Sequence, residues 1–117
     1  MPKKTFKPLD YDPSSLKGIS QRTVEIHHGK LYKGYVDKTN EISEKLGELR
    51  RSGKAEGNQT YSELRGLKLG ETFARNGSYL HENYFAILGG DGHPKGEVLK
   101  AIEGKFGSFE KWKELFM

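Results

Sequence analysis

The chain has 117 residues, with 20 Lys and Arg against 16 Asp and Glu, 33% hydrophobic residues, a mean hydropathy of −0.80 and no cysteine. That length suits one domain or part of one, the missing cysteines exclude disulfides and thiolate metal sites, and no apolar run approaches the roughly 18–20 residues needed to cross a bilayer. The net charge of +4 is spread without a dense basic run, which describes a solvated surface and no nucleic-acid footprint. The start, Met1-Pro2-Lys3-Lys4-Thr5-Phe6, has no apolar signal core. A soluble, cytoplasmic protein with neither membrane nor nucleic acid among its partners is expected.

Residues 1–18 carry Pro2, Pro8, Pro13 and Gly18 and are expected to form an extended lead-in. Ser20 is placed to cap a first helix, on which Val24, His27, Leu31 and Tyr35 recur at helical spacing and Ile42, Leu46 and Leu49 continue the stripe. Gly29 and Gly34 weaken that helix locally, and it should end near Arg51–Gly53. Residues 53–58 form a polar turn. Thr60-Tyr61-Ser62-Glu63 then matches a capping box in which Thr60 caps a second helix carrying Leu64, Leu67, Phe73, His81, Tyr84 and Leu88. Two long helices joined by a short turn predict an antiparallel hairpin over residues 19–89. Gly66, Gly70 and Gly77 allow a bend in its second arm.

Gly89-Gly90-Asp91-Gly92-His93-Pro94 has loop composition, and it lacks the Lys-Ser/Thr and the preceding strand of a phosphate-binding loop. Pro94 suits the start of a helix running to about Phe106, and Gly107-Ser108 starts another with Phe109, Trp112 and Phe116 on one face. Residues 90–117 are expected to be a loop and the start of a further, incomplete unit. The fold class expected is all-α: a long antiparallel hairpin followed by short helices.

His27 shares a face with Val24, Leu31 and Tyr35, and His81 shares one with Gly77, Tyr84, Phe85 and Leu88. Neutral imidazole is a common ligand for redox-active metals, and two histidines on facing helices can supply half of a buried site. The bland alternative for each is a core histidine bonded to a backbone carbonyl, and spacing alone does not decide. His28 points about 100° away from His27 by helical geometry, making it a weaker candidate, and His93 sits in the glycine-rich loop. A nucleophilic hydrolase is unsupported, because no Cys, no G-x-S-x-G and no suitably placed serine is present.

The stretch Glu25-Ile26-His27-His28-Gly29-Lys30 followed by Tyr35-Val36, then His81-Glu82-Asn83-Tyr84-Phe85, then Gly89-Gly90-Asp91-Gly92 and Phe106-Gly107-Ser108-Phe109-Glu110, resembles the N-terminal half of iron/manganese superoxide dismutases. The resemblance implies a helical hairpin leading into an α/β domain, a dimer or tetramer, and conversion of superoxide to dioxygen and hydrogen peroxide at one Mn or Fe ion per complete subunit. It implies His27 and His81 as metal ligands, Tyr35 as a catalytic tyrosine near the channel and Lys30 as a funnel cation. Phe85 takes the place of a pocket aromatic that is usually Trp. Leu31 stands where many members have a channel histidine, Leu80 replaces a common Asn, and Gly77 stands where some members place a glutamine, an exchange more typical of manganese enzymes. The remaining family ligands, an Asp and a His in a D-x-W-E-H-like block, have no counterpart here, so the sequence is expected to be a fragment holding half of the ligand set. The rival expectation is a non-catalytic helical interaction module that binds through Phe109, Trp112 and Phe116.

Overall fold

The structure is a computed structural model describing residues 2–117; Met1 lies outside the described residues. Among those residues every regular element is helical. A 3-10 turn at Pro13–Ser15 precedes α1 (Gln21–Ile26), a π-helical segment (His27–Tyr32), α2 (Lys33–Arg51), α3 (Glu63–Ala86), α4 (Gly96–Phe106) and α5 (Phe109–Phe116). α1, the π-helical segment and α2 run on as one rod. His27 meets Phe85, Tyr35 meets Gly77, and Ile42 meets Gly70, so α3 runs antiparallel to the rod.

Side-chain size sets how closely the two arms approach. Gly70, Ala74, Gly77 and Ser78 lie along the face of α3 that meets α2. A Cβ at Gly70 would come 3.1 Å from the Cδ1 of Ile42. The buried hydroxyls of Thr39 and Ser78 lie 3.4 Å apart, and each also donates to the carbonyl four residues earlier on its own helix, Tyr35 and Ala74. A buried hydroxyl left without a partner is costly, and these two are satisfied without water. Gly66, Gly70 and Gly77 do not break α3, which is one continuous helix.

The apolar core sits at the open end of the hairpin. Val24, Tyr32, Val36 and Phe85 are buried there, with Phe6, Leu9, Leu16, Ile19 and Leu88 packed against them. The lead-in therefore covers the core as an extended strap. It is tied on by Asn40, whose side-chain oxygen accepts from the Lys4 amide at 2.7 Å and whose amide donates to the Lys4 carbonyl at 2.9 Å.

Two expectations need correction. The second helix is capped by Ser62, not Thr60: the Ser62 hydroxyl accepts from the Arg65 amide at 3.0 Å, and the helix begins at Glu63. Thr60 is held in an Asx turn instead, because the Asn58 carboxamide accepts from the amides of Thr60 and Tyr61. The expected stripe Val24–His27–Leu31–Tyr35 also shifts. Leu31 is exposed and Tyr32 is buried at 1% exposure. A π turn closes five residues on rather than four, so the α-helical phase slips within this segment and Tyr32 rather than Leu31 turns inward, its ring against those of His28 and Phe85. Gly29, inside the segment, has no atom within 4 Å of where a Cβ would sit, so close packing does not explain its place there.

Ser20 caps the rod as expected, accepting from the Thr23 amide at 3.1 Å, and Ser108 does the same for α5. α4 starts at Gly96 rather than at Pro94. Helices α4 and α5 pack on each other and on no other helix among the described residues. Phe109, Trp112 and Phe116 stack in sequence along α5, with ring centroids 5.4 and 5.3 Å apart.

Candidate metal centre

The hairpin brings His27 and His81 together from positions 54 residues apart. Their ring centroids are 4.9 Å apart in an edge-on arrangement, and both side chains are half-buried. Phe85 and Tyr84 each lie 5.1 Å from the His27 ring, and Tyr35 lies 5.1 Å from the His81 ring. The pair is thus walled by three aromatic rings on a rigid helical frame.

The two imidazoles are prepared differently. With its Nδ1–H, His81 donates to the Gly77 carbonyl at 2.7 Å, one turn back on its own helix. That bond selects the tautomer whose Nε2 lone pair is available to a ligand. Among the described residues His27 makes no side-chain hydrogen bond, so the carbonyl-bonded core histidine does not describe it. Burial, reinforced by the nearby His81, holds the His27 pKa below its ordinary 6.5. Its ring is therefore neutral at pH 7, the form that ligates metals.

Gly77 gives the site its tightest contact. A Cβ there would lie 2.8 Å from Cγ and 2.5 Å from Cε1 of Tyr35, and closer still to Cδ1. The Tyr35 ring thus lies flush on the α3 backbone, between Phe73 at 5.7 Å and His81 at 5.1 Å. A glutamine could not occupy position 77 with Tyr35 where it is. Phe85, 5% exposed, touches His27 and His28. Lys30 and Leu31 are both exposed on the π segment.

His28 is not part of the pair: its Nε2 bonds the Lys7 carbonyl at 2.8 Å, and its ring packs at a tilt against Phe6. His93 is exposed in its loop, with its amide bonded to Asp91. Among the described residues no group of three or more His, Cys, Asp or Glu side chains is placed to hold an ion. The chain offers a two-nitrogen donor set, which suits Mn or Fe only as part of a larger one.

Sequence reasoning missed the network beside the pair. Glu82, 12% exposed, takes Lys4 Nζ at 2.7 Å, Lys7 Nζ at 3.0 Å and the Tyr32 hydroxyl at 3.0 Å. The Lys7 amide closes the ring on the Tyr32 oxygen at 3.2 Å. Burial pushes the Glu82 carboxyl up, but the donors from Lys4, Lys7 and Tyr32 outweigh it and leave the pKa below 4.5. A signal existed: no Lys or Arg lies three or four residues from Glu82 on its own helix, so its partner had to come from elsewhere.

The structure is a helical hairpin with a histidine facing across from each arm, an aromatic wall and a tyrosine laid on a glycine. The chain belongs to the iron/manganese superoxide dismutase family: residues 3–89 match the alpha-hairpin domain of iron/manganese superoxide dismutases. It is 44% identical over 108 residues to the superoxide dismutase [Fe] of Aquifex aeolicus, covering 90% of this chain and 51% of that protein. The superoxide dismutase [Mn/Fe] of Porphyromonas gingivalis is 39% identical over 101 residues, 84% of this chain and 49% of that protein. The superoxide dismutase [Mn] of Haloarcula marismortui is 34% identical over 118 residues, 93% of this chain and 52% of that protein. The chain spans about half the length of the curated relatives it matches. No helix among the described residues is long and apolar enough to cross a membrane.

Proposed function

We propose that this chain is the hairpin half of a superoxide dismutase and that His27 and His81 supply two of the ligands to one Mn or Fe ion. The observation that supports this reading most is the inter-arm pair itself: two imidazoles 4.9 Å apart, one fixed in tautomer by Gly77 and one without a protein partner. The names of the relatives include Fe, Mn and Mn/Fe, and the two histidines suit either metal. When bound, the ion supplies the one-electron exchange that converts superoxide to dioxygen and hydrogen peroxide.

The chain's own residues do the rest. His27 stays neutral and open to the ion. Gly77 holds the His81 ring at Nδ1 and admits the Tyr35 ring beside it, which supports Tyr35 as the catalytic tyrosine of this half. Phe85 excludes water from the inner side of His27. Lys30, exposed on the π segment, adds positive charge that favours approach of an anion. The complete subunit would assemble as a dimer or tetramer.

The test joins this chain, in place of the matching N-terminal half, to the remainder of the Aquifex aeolicus relative. The joined protein should hold close to one ion per subunit and dismutate superoxide, whereas this chain alone should hold Mn or Fe weakly and show little activity. His27→Ala or His81→Ala in the joined protein should remove metal content and lower activity at least a hundredfold. A folded, joined protein that takes up no metal, or keeps its metal in both variants, contradicts the assignment.

A further inference from the structure

We infer that Asn58 is an acceptor for N-linked glycosylation, taking a sugar from a donor that carries it on a diphosphate. The residue lies on the turn at the closed end of the hairpin, between α2 and α3. The transfer needs a carboxamide followed two residues on by a hydroxyl, in the pattern N-x-[ST]. That pattern must lie on a surface segment that can enter a transferase. Two such triplets occur in the chain, Asn58-Gln59-Thr60 and Asn76-Gly77-Ser78, and the fold separates them.

The first triplet is presented. Residues 54–61 form no regular element and are all exposed. The Asn58 Oδ1 accepts from the amides of Thr60 at 2.8 Å and Tyr61 at 3.0 Å, which holds the carboxamide close to the Thr60 backbone in one turn. Among the described residues neither the Asn58 Nδ2 nor the Thr60 hydroxyl has a hydrogen bond, so neither has to give up a protein partner. The second triplet is shut inside α3. Ser78 is 0% exposed, and its hydroxyl donates to the Ala74 carbonyl at 3.0 Å. Reaction there would require melting the helix that carries His81.

In the transfer, the Asn58 Nδ2 bonds to the anomeric carbon of the sugar and gives up one proton to the transferase. The bond from that carbon to the diphosphate oxygen breaks, and the diphosphate leaves with the electron pair. Nucleotide-linked and lipid-linked sugars share this leaving group.

The test offers the folded chain, and separately the joined protein described above, to two enzymes. One is a soluble transferase with UDP-glucose; the other is a membrane oligosaccharyltransferase with a lipid-linked oligosaccharide. Each is first shown to act on a standard acceptor peptide. Mass spectrometry of the digested products should find sugar at Asn58, and the arm that reacts names the donor. Asn58→Gln and Thr60→Ala should abolish the modification, and Asn76→Gln should leave it intact. No transfer to the folded chain from either donor overturns the proposal. So does sugar at Asn76 of the folded chain, or modification of the chain that is lost in the folded joined protein.

Discussion

Gly77→Ala should destabilise the chain by about 1–3 kcal/mol, the usual range for an added methyl in a packed interface. The direction is informative because Gly→Ala within a helix ordinarily stabilises by roughly 0.5–1 kcal/mol. At Gly77 the new methyl would overlap the root of the Tyr35 ring as well as its edge, with Cγ at 2.8 Å. The ring cannot escape by a small turn; it must change rotamer, and it is flanked by Phe73 and His81. Gly66, on the same helix, has nothing within 4 Å of a Cβ, so Gly66→Ala should show the opposite sign. Urea unfolding of the two variants checks both. Equal effects at the two positions would mean that the Tyr35–Gly77 contact is not formed in solution. Because Tyr35 also packs on His81, Gly77→Ala should weaken metal binding where Gly66→Ala does not.

Glu82→Gln should release the strap. The carboxylate is the common acceptor for Lys4, Lys7 and Tyr32, and the Tyr32 hydroxyl is buried. Loss of the charge leaves two lysines with a weak acceptor, at an expected cost of about 1–3 kcal/mol. Lys7 is largely exposed, so most of that cost falls on Tyr32 and Lys4. The folded Glu82 pKa lies below its ordinary 4.5, so its contribution is complete above that value and is lost as pH falls through the lower, folded value. The wild-type chain should therefore lose stability in acid below pH 4.5, and Glu82→Gln should flatten that loss. Trypsin reports the local event, because strap cleavage after Lys4 requires opening. Cleavage there should accelerate in Glu82→Gln while the hairpin's circular dichroism stays helical. An unchanged cleavage rate would show that Phe6, Leu9 and Asn40 suffice to hold the strap.

The hairpin was legible because its signals are local. Ser20 and Ser108 cap as their positions suggest, and the turn after Arg51 follows from glycine and polar composition. His27 and His81 were legible through the motif around each, although nothing in their spacing tells that the two rings meet. Leu31 was misplaced because a periodicity of 3.6 assumes an α-helix throughout, and six residues of π helix move Tyr32 into its place. Ser62 displaced Thr60 as cap because Asn58 captures the Thr60 amide first. The Glu82 network joins the strap, the π segment and α3, so no single window of sequence contains it.

His27 and His81 should act as one ligand set. Substoichiometric Mn²⁺ added to the chain at pH 7.5 tests this directly, with the broadening of each histidine ring resonance followed by NMR. The His27 and His81 signals should broaden together at the lowest additions, with Tyr35 and Phe85 next and His93 unaffected. Broadening that begins at His93 or His28, or that reaches His27 and His81 independently of each other, would contradict the shared site.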